Sequence, residues 1–215
     1  MKKLYEFDIN YEYKKKFFLP IRNKNHIIEI LMNSVKYMLL SPSVDDDKIE
    51  GKLILYVDKM SRLFFIEDDK IYSINFPFSV YEKEDTFKFS FLSIDEISYK
   101  LTSDVIELVN CKQDNNNCTL SFFEPIYEYE EDENEYIWSF LHQLLTLEDG
   151  YLRYDHDPKN FKKYQERNEE DKHPLHHLDI FYSSNNSFKL GLRCAIDGDT
   201  LISFLDSSKD CKYID

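Results

Sequence analysis

Four of the chain's six histidines fall between His156 and His177, interleaved with Arg153, Asp155, Asp157 and Asp179. The stretch reads Tyr151-Leu-Arg-Tyr-Asp-His-Asp-Pro158, then a polar spacer, then His173-Pro-Leu-His-His-Leu-Asp-Ile180, then Ser187-Phe-Lys-Leu-Gly-Leu-Arg193. Imidazole suits transition metals and carboxylate suits hard cations. Asp155, Asp157, His173 and His177 are therefore the candidate ligands of a divalent metal such as Mn²⁺, Zn²⁺, Mg²⁺ or Fe²⁺. Arg153, Lys189 and Arg193 would hold a phosphate or carboxylate group, and the chemistry would be hydrolysis by metal-activated water. The same residues admit a reaction without a metal. His177 or His173 would then be general acid or base, with Asp155 and Arg153 beside it and the basic residues stabilising developing negative charge. A third alternative is purely structural, because alternating polar residues also mark any half-exposed antiparallel sheet. Neither HExxH nor HxxEH occurs, so the zinc peptidase classes lack support. No GxGxxG or GxxxxGK[ST] pattern occurs either, which excludes Gly-rich phosphate loops.

Three strands have to position these residues. Tyr151–Asp155 alternates so that Arg153 and Asp155 share one face, with Leu152 and Tyr154 on the other, and Pro158 follows its end. Leu175–Phe181 puts His177 and Asp179 opposite Leu178 and Ile180, leaving His176 on the core side. Ser187–Arg193 turns Lys189, Gly191 and Arg193 outward. Residues 159–172 are almost entirely polar and are expected to form a loop or short exposed helix, able to act as a lid.

Elsewhere the pattern predicts an α+β fold: a single domain with an antiparallel sheet and flanking helices. A finer division would separate an N-terminal lobe, 1–113, from a C-terminal lobe, 118–215, that carries the site. Residues 4–18 alternate and read as extended. Asn25 is a plausible cap for a helix over 25–40. Residues 52–57, 62–67, 70–76 and 86–92 read as an antiparallel meander. Ser93 with Glu96 makes a capping box for a short helix at 94–101. Residues 119–126 read as a strand, and 132–147 and 199–208 as helices, with Gly150 ending the former.

A net charge of −14 opposes non-specific attraction to nucleic acid or anionic lipid. Nucleic acid or nucleotide is therefore expected only at a local site, and a basic protein surface is the expected macromolecular partner. The acidic run from Glu124 to Glu135 carries the competing reading of the whole chain: a non-enzymatic immunity protein, antitoxin or inhibitor. The four cysteines form no CxxC pair and suit free thiols in a reducing compartment. No stretch approaches 18 apolar residues, so a soluble, cytoplasmic protein without a membrane span is expected.

The two motifs, Arg153-Tyr-Asp-His-Asp-Pro158 and His173-Pro-Leu-His-His-Leu178, resemble the signature of an uncharacterised bacterial family. That signature pairs Arg-aromatic-Asp-x-Asp-Pro with His-Pro-x-x-His-hydrophobic, and a basic strand and a closing helix follow, the latter resembled by Asp199–Leu205. The match covers roughly the last 65 residues. By motif position Arg153, Asp155, Asp157, His173 and His177 correspond, and His176 is this chain's own variant. The third strand departs: Ser183-Ser-Asn-Asn-Ser187 stands where a Gly-rich turn belongs. The resemblance implies a bacterial cytosolic protein from a mobile-element, defence or toxin–antitoxin setting, and supplies no activity.

Overall fold

The strands are β1 (Lys3–Ile9), β2 (Gly51–Val57), β3 (Ser61–Glu67), β4 (Lys70–Asn75), β5 (Ser79–Lys83), β6 (Thr86–Ser90), β7 (Leu152–His156), β8 (His176–Ser183) and β9 (Asn186–Leu192). Apolar residues build them, in continuous buried runs through β2–β4 at the centre and in alternation toward the edges. The helices are α1 (Tyr11–Phe17), α2 (Lys24–Leu40), α3 (Tyr99–Asn110), α4 (Asn134–Thr146), α5 (Pro158–Gln165) and α6 (Gly198–Leu205). The computed structural model describes residues 2–84, 86–92, 94–110, 134–183 and 186–210. The fold is α+β, and every pairing in its seven-stranded sheet is antiparallel, in the order β1-β2-β3-β4-β7-β8-β9.

The chain forms two compact units. One comprises Met1–Lys15, Ser43–Phe76 and Asp149–Asp215 and carries the large sheet with α5 and α6. A core cluster lies on one face of the sheet, where Ile54, Tyr56, Phe64, Ile71, Tyr154 and Leu178 pack with Leu201 and Ile202 of α6; on the opposite face of β2–β4, Leu53, Leu55, Leu63, Phe65 and Ile74 are buried as well. Burying each large apolar side chain contributes about 1.5–3 kcal/mol. A one-residue slip of β7 or β8 would expel Tyr154 and Leu178 and drive Asp155 and His177 into that core. Core burial on one face thus fixes which residues occupy the other. The α6 helix starts at an Asp197 cap that accepts from Thr200 N at 2.8 Å, and it sits so close to β3 that a Cβ on Gly198 would fall 2.4 Å from Ile66 Cδ1.

The second unit, Lys16–Pro42 with Pro77–Glu148, holds α2, α3, α4 and the separate β5–β6 sheet. Phe78, Phe91 and Phe140 pack with centroid separations of 5.3 to 6.2 Å.

Several expectations need correction. The extended reading over 4–18 holds only to Ile9; Asn10 then accepts from Tyr13 N at 3.1 Å and starts α1, so the lysine triplet lies on a helix. The cap of α2 is Asn23, which accepts from His26 N at 3.1 Å, two residues before the expected Asn25. No helix covers residues 94–98; Ile94 instead bridges to Phe91, and Ser98 Oγ accepts from Leu101 N at the start of α3. Thr86–Ser90 belongs to a second sheet with β5 rather than to the main meander. Gly150 does not end α4, which stops at Thr146. Its φ of 55° instead turns the chain beside Asn75, where a Cβ would meet Oδ1 at 2.4 Å. Residues 111–133, which hold the expected 119–126 strand and most of the acidic run, lie outside the described residues.

Candidate metal and anion site on the β7–β9 face

Antiparallel register lays the candidate residues out as two cross-strand rows. Lys70, Asp155, His177 and Gly191 lie opposite one another in the first row. Tyr72, Arg153, Asp179 and Lys189 form the second. Side chains opposite each other on one face are about 5 Å apart at Cβ, so the sequence pattern converts into a checkerboard of opposite charges.

The ion pairs follow. Arg153 donates through Nε to Asp155 Oδ2 at 2.7 Å and through Nη2 to Asp179 Oδ2. Lys189 Nζ donates to Asp179 Oδ1 at 2.6 Å and to His177 Nε2 at 2.8 Å. His177 Nε2 lies 3.7 Å from Asp155 Oδ2 and 3.8 Å from Asp179 Oδ1. The four charges of this network cancel. Pairing of this kind offsets the cost of taking the groups out of water: Asp179 is 6% exposed, and His177 is fully buried. An aromatic series of Phe65, Tyr72, Tyr151 and Phe181 borders the network, with Tyr151 and Phe181 stacked at 4.5 Å and Arg153 Cζ 5.8 Å from the Phe181 ring. Burial works against the Arg153 charge, but Tyr151, Asp155 and Asp179 outweigh it and hold the guanidinium protonated beyond its ordinary range.

His177 has a determined tautomer. Its Nδ1 lies 2.9 Å from the carbonyl oxygen of Pro174. A carbonyl can only accept, so Nδ1 carries the proton and Nε2 presents its lone pair to Lys189 and the two carboxylates. Burial pushes the imidazole pKa down, the Lys189 ammonium adds to this, and the ring is held neutral despite the opposing pull of Pro174 and the aspartates. The Pro174 carbonyl is in place because the proline ring packs over Gly191, where a Cβ would lie 2.9 Å from Pro174 Cγ.

Asp157 and His173 are not part of this group. His173 Nε2 pairs with Asp157 Oδ2 at 3.0 Å. Asp157 is also the cap of α5, accepting from Asn160 N at 2.9 Å and Asn160 Nδ2 at 2.7 Å. Those bonds and His173 overcome the effect of burial and hold its carboxyl well below the usual range. The His173 ring stacks on Tyr164 of α5 and meets His177 at a centroid separation of 4.9 Å, so this pair braces the site from its rim. Arg193 is exposed and stands one residue beyond β9, outside the ion-pair network. On the opposite face of the sheet His176 Nδ1 bonds Tyr154 Oη at 2.9 Å, and His156 Nδ1 bonds Asp69 Oδ1 at 2.7 Å.

The resulting group is Asp155, His177 and Asp179, whose ligand atoms lie within 4.8 Å of one another and could hold a metal ion. It differs from the expected set by exchanging Asp157 and His173 for Asp179. Alternation had already placed Asp179 on this face. What pattern alone did not supply was that Asp157, just past the end of β7, turns to cap a helix. Next to the group a cleft of about 430 Å³ is lined by Asp171, Lys172, Pro174, Asp179, Ser187, Phe188, Lys189 and Gly191. Two lysines thus face a space adjoining the carboxylates.

No family model, curated protein or solved structure matches the chain. Among the described residues no helix is long and apolar enough to cross a membrane.

Proposed function

We propose that Asp155, His177 and Asp179 hold a divalent metal and that the protein hydrolyses a phosphodiester or nucleotide phosphate at this face. The observation that carries the reading is the His177 ring. Its Nδ1–H is tied to the Pro174 carbonyl and its Nε2 lone pair is turned toward two carboxylates. Metal-bound histidines are held in this way, with the second ring nitrogen fixed by a backbone or carboxylate acceptor. One imidazole with two carboxylates suits Mn²⁺, Zn²⁺ or Mg²⁺. A bound ion supplies a water acidic enough to attack at neutral pH and withdraws charge from the phosphoryl oxygens. Arg153 orients both carboxylates through one guanidinium. Lys189 lines the adjoining cleft and would receive the phosphate, joined by Lys172 once that side chain leaves its pairing with Glu169. The defence or toxin–antitoxin setting is part of the proposal and rests on the resemblance of the two motifs.

The test is hydrolysis of bis(p-nitrophenyl) phosphate and of nucleoside triphosphates with Mn²⁺, Zn²⁺ or Mg²⁺ added to chelator-treated protein. We expect metal-dependent turnover, lost more than about 100-fold in His177→Ala and in Asp179→Asn, since even second-shell changes at metal sites cost roughly 10–100-fold. Absence of turnover on every substrate and metal, or a His177→Ala protein with the wild-type rate, would sink the reading.

A further inference from the structure

The Lys189 ammonium stands where a metal would have to bind. Its Nζ bonds His177 Nε2 at 2.8 Å and Asp179 Oδ1 at 2.6 Å. Those are two of the three groups in the candidate metal set. A lone pair donated to an ammonium proton is not available to a cation. The lysine side chain is also the least buried of the network, 32% exposed against 8% for Asp179 and 1% for His177. It already lines the neighbouring cleft with Lys172 and Ser187. It rises from the last strand in the sheet order, so its four-carbon stem can swing without disturbing a second strand partner.

We propose that Lys189 is the resident cation of this site: a divalent metal enters by displacing Nζ from His177 and Asp179, and the displaced ammonium turns into the adjoining cleft, where it holds the phosphoryl group of the substrate. This rests on the metal reading above and adds an order of binding to it. Without metal, Arg153 and Lys189 neutralise Asp155 and Asp179, so the face has little attraction for an anion. Metal entry raises the local charge by two and frees a lysine to bond the incoming oxygens. Metal is therefore required before phosphate, and Lys189 serves as a plug in one state and a positioning residue in the other. Arg153 remains with the carboxylates throughout, because its two bonds span both of them.

Calorimetry with Mn²⁺, followed by inorganic phosphate, tests the exchange in the wild type and in Lys189→Met, which keeps an unbranched stem. The variant should bind Mn²⁺ at least about tenfold more tightly, because no charge-assisted hydrogen bond has to be broken. Phosphate should bind the wild type only when Mn²⁺ is present, and should bind the Mn²⁺-loaded variant more weakly. If the wild type takes up Mn²⁺ and Lys189→Met binds it equally or less well, the displacement is overturned while the metal site stands. If neither protein binds Mn²⁺, the metal reading fails and the exchange with it. A measurement on the wild type alone covers misfolding of the variant: amine labelling read by peptide mass spectrometry should show Lys189 more reactive after Mn²⁺ is added. Unchanged labelling at saturating Mn²⁺ would overturn the proposal.

Discussion

Arg153 does the most electrostatic work of any single residue at the site. It donates to Asp155 and Asp179 at once, and both carboxylates are largely withdrawn from water. Replacing it with Met keeps the stem but leaves Asp179 dependent on Lys189, and Asp155 on its cross-strand neighbour Lys70 and on solvent. Removal of one partner from a buried pair costs about 3–5 kcal/mol. Arg153 keeps some exposure, so the lower end is expected. Arg153→Met should therefore lose about 3 kcal/mol in urea unfolding at neutral pH, and most of that loss should vanish when Asp155 and Asp179 are also made Asn. A single variant as stable as the wild type would show that the guanidinium only decorates the surface. The contrast with Arg193 is instructive. Both arginines follow the same alternation rule, but only Arg153 has an acid directly across from it, Asp179, and another two residues along its own strand, Asp155.

At the scale of elements, β7, β8 and β9 were legible from the sequence because each is half buried, and half burial imposes a period of two. The face assignment of Arg153, Asp155, His177, Asp179 and Lys189 follows from that period alone, since Tyr154 and Leu178 must point inward. Legibility ends where strands end. Asp157 reads as a ligand by proximity, yet Pro158 favours a helix start there and the carboxylate is taken up by the Asn160 amides. The same competition explains Asn10, whose side chain begins a helix where alternation alone predicts continued strand. It also explains Ser98, which caps a helix that starts at Tyr99 rather than at residue 94, because capping depends on backbone geometry that a tetrapeptide pattern does not contain. Gly191 shows a further limit: glycine inside a strand signals close approach without saying of what. Here the neighbour is Pro174. Adding a side chain normally stabilises a strand glycine by about 0.4–1 kcal/mol through the unfolded state, whereas forced overpacking costs about 1–3 kcal/mol. Contact should win for a β-branched residue. Gly191→Val is expected to lower the melting temperature and to release the His177 Nδ1 proton to solvent, seen as faster exchange of that proton by NMR. A protected proton in this variant would mean that Pro174 does not depend on Gly191.

At the scale of the molecule, a second buried polar contact ties the sheet to the end of α6. Tyr56 Oη donates to Asp206 Oδ2 at 2.7 Å, and Asp206 also accepts from Ser208 N and Oγ. The Ser208 and Tyr56 bonds bring the Asp206 carboxyl down to about 2, and burial together with Asp206 pushes the Tyr56 hydroxyl up to about 12. A depressed acid contributes stability above its unfolded pKa of roughly 3.9 and loses it as pH falls through the folded value. The raised tyrosine is favoured as the neutral phenol, so its contribution holds below about pH 10 and disappears as pH rises through the folded value. The difference in melting temperature between wild type and Asp206→Asn should therefore be full at neutral pH and close between about pH 4 and 2. A difference that stays constant over that interval would remove Asp206 from the account.

The placement of β7 beside β4 also carries a kinetic consequence. All the site residues lie on three consecutive strands paired in sequence order, β8 and β9 by a short hairpin and β7 and β8 through the connection that carries α5. The strand that receives them, β4, is separated from β7 by Pro77–Glu148, the larger part of the second unit. The largest loop-closure cost falls on the meeting of β4 and β7. The residues of the candidate site therefore share strands adjacent in the chain, and their junction with β4 is the pairing of greatest sequence separation in the sheet.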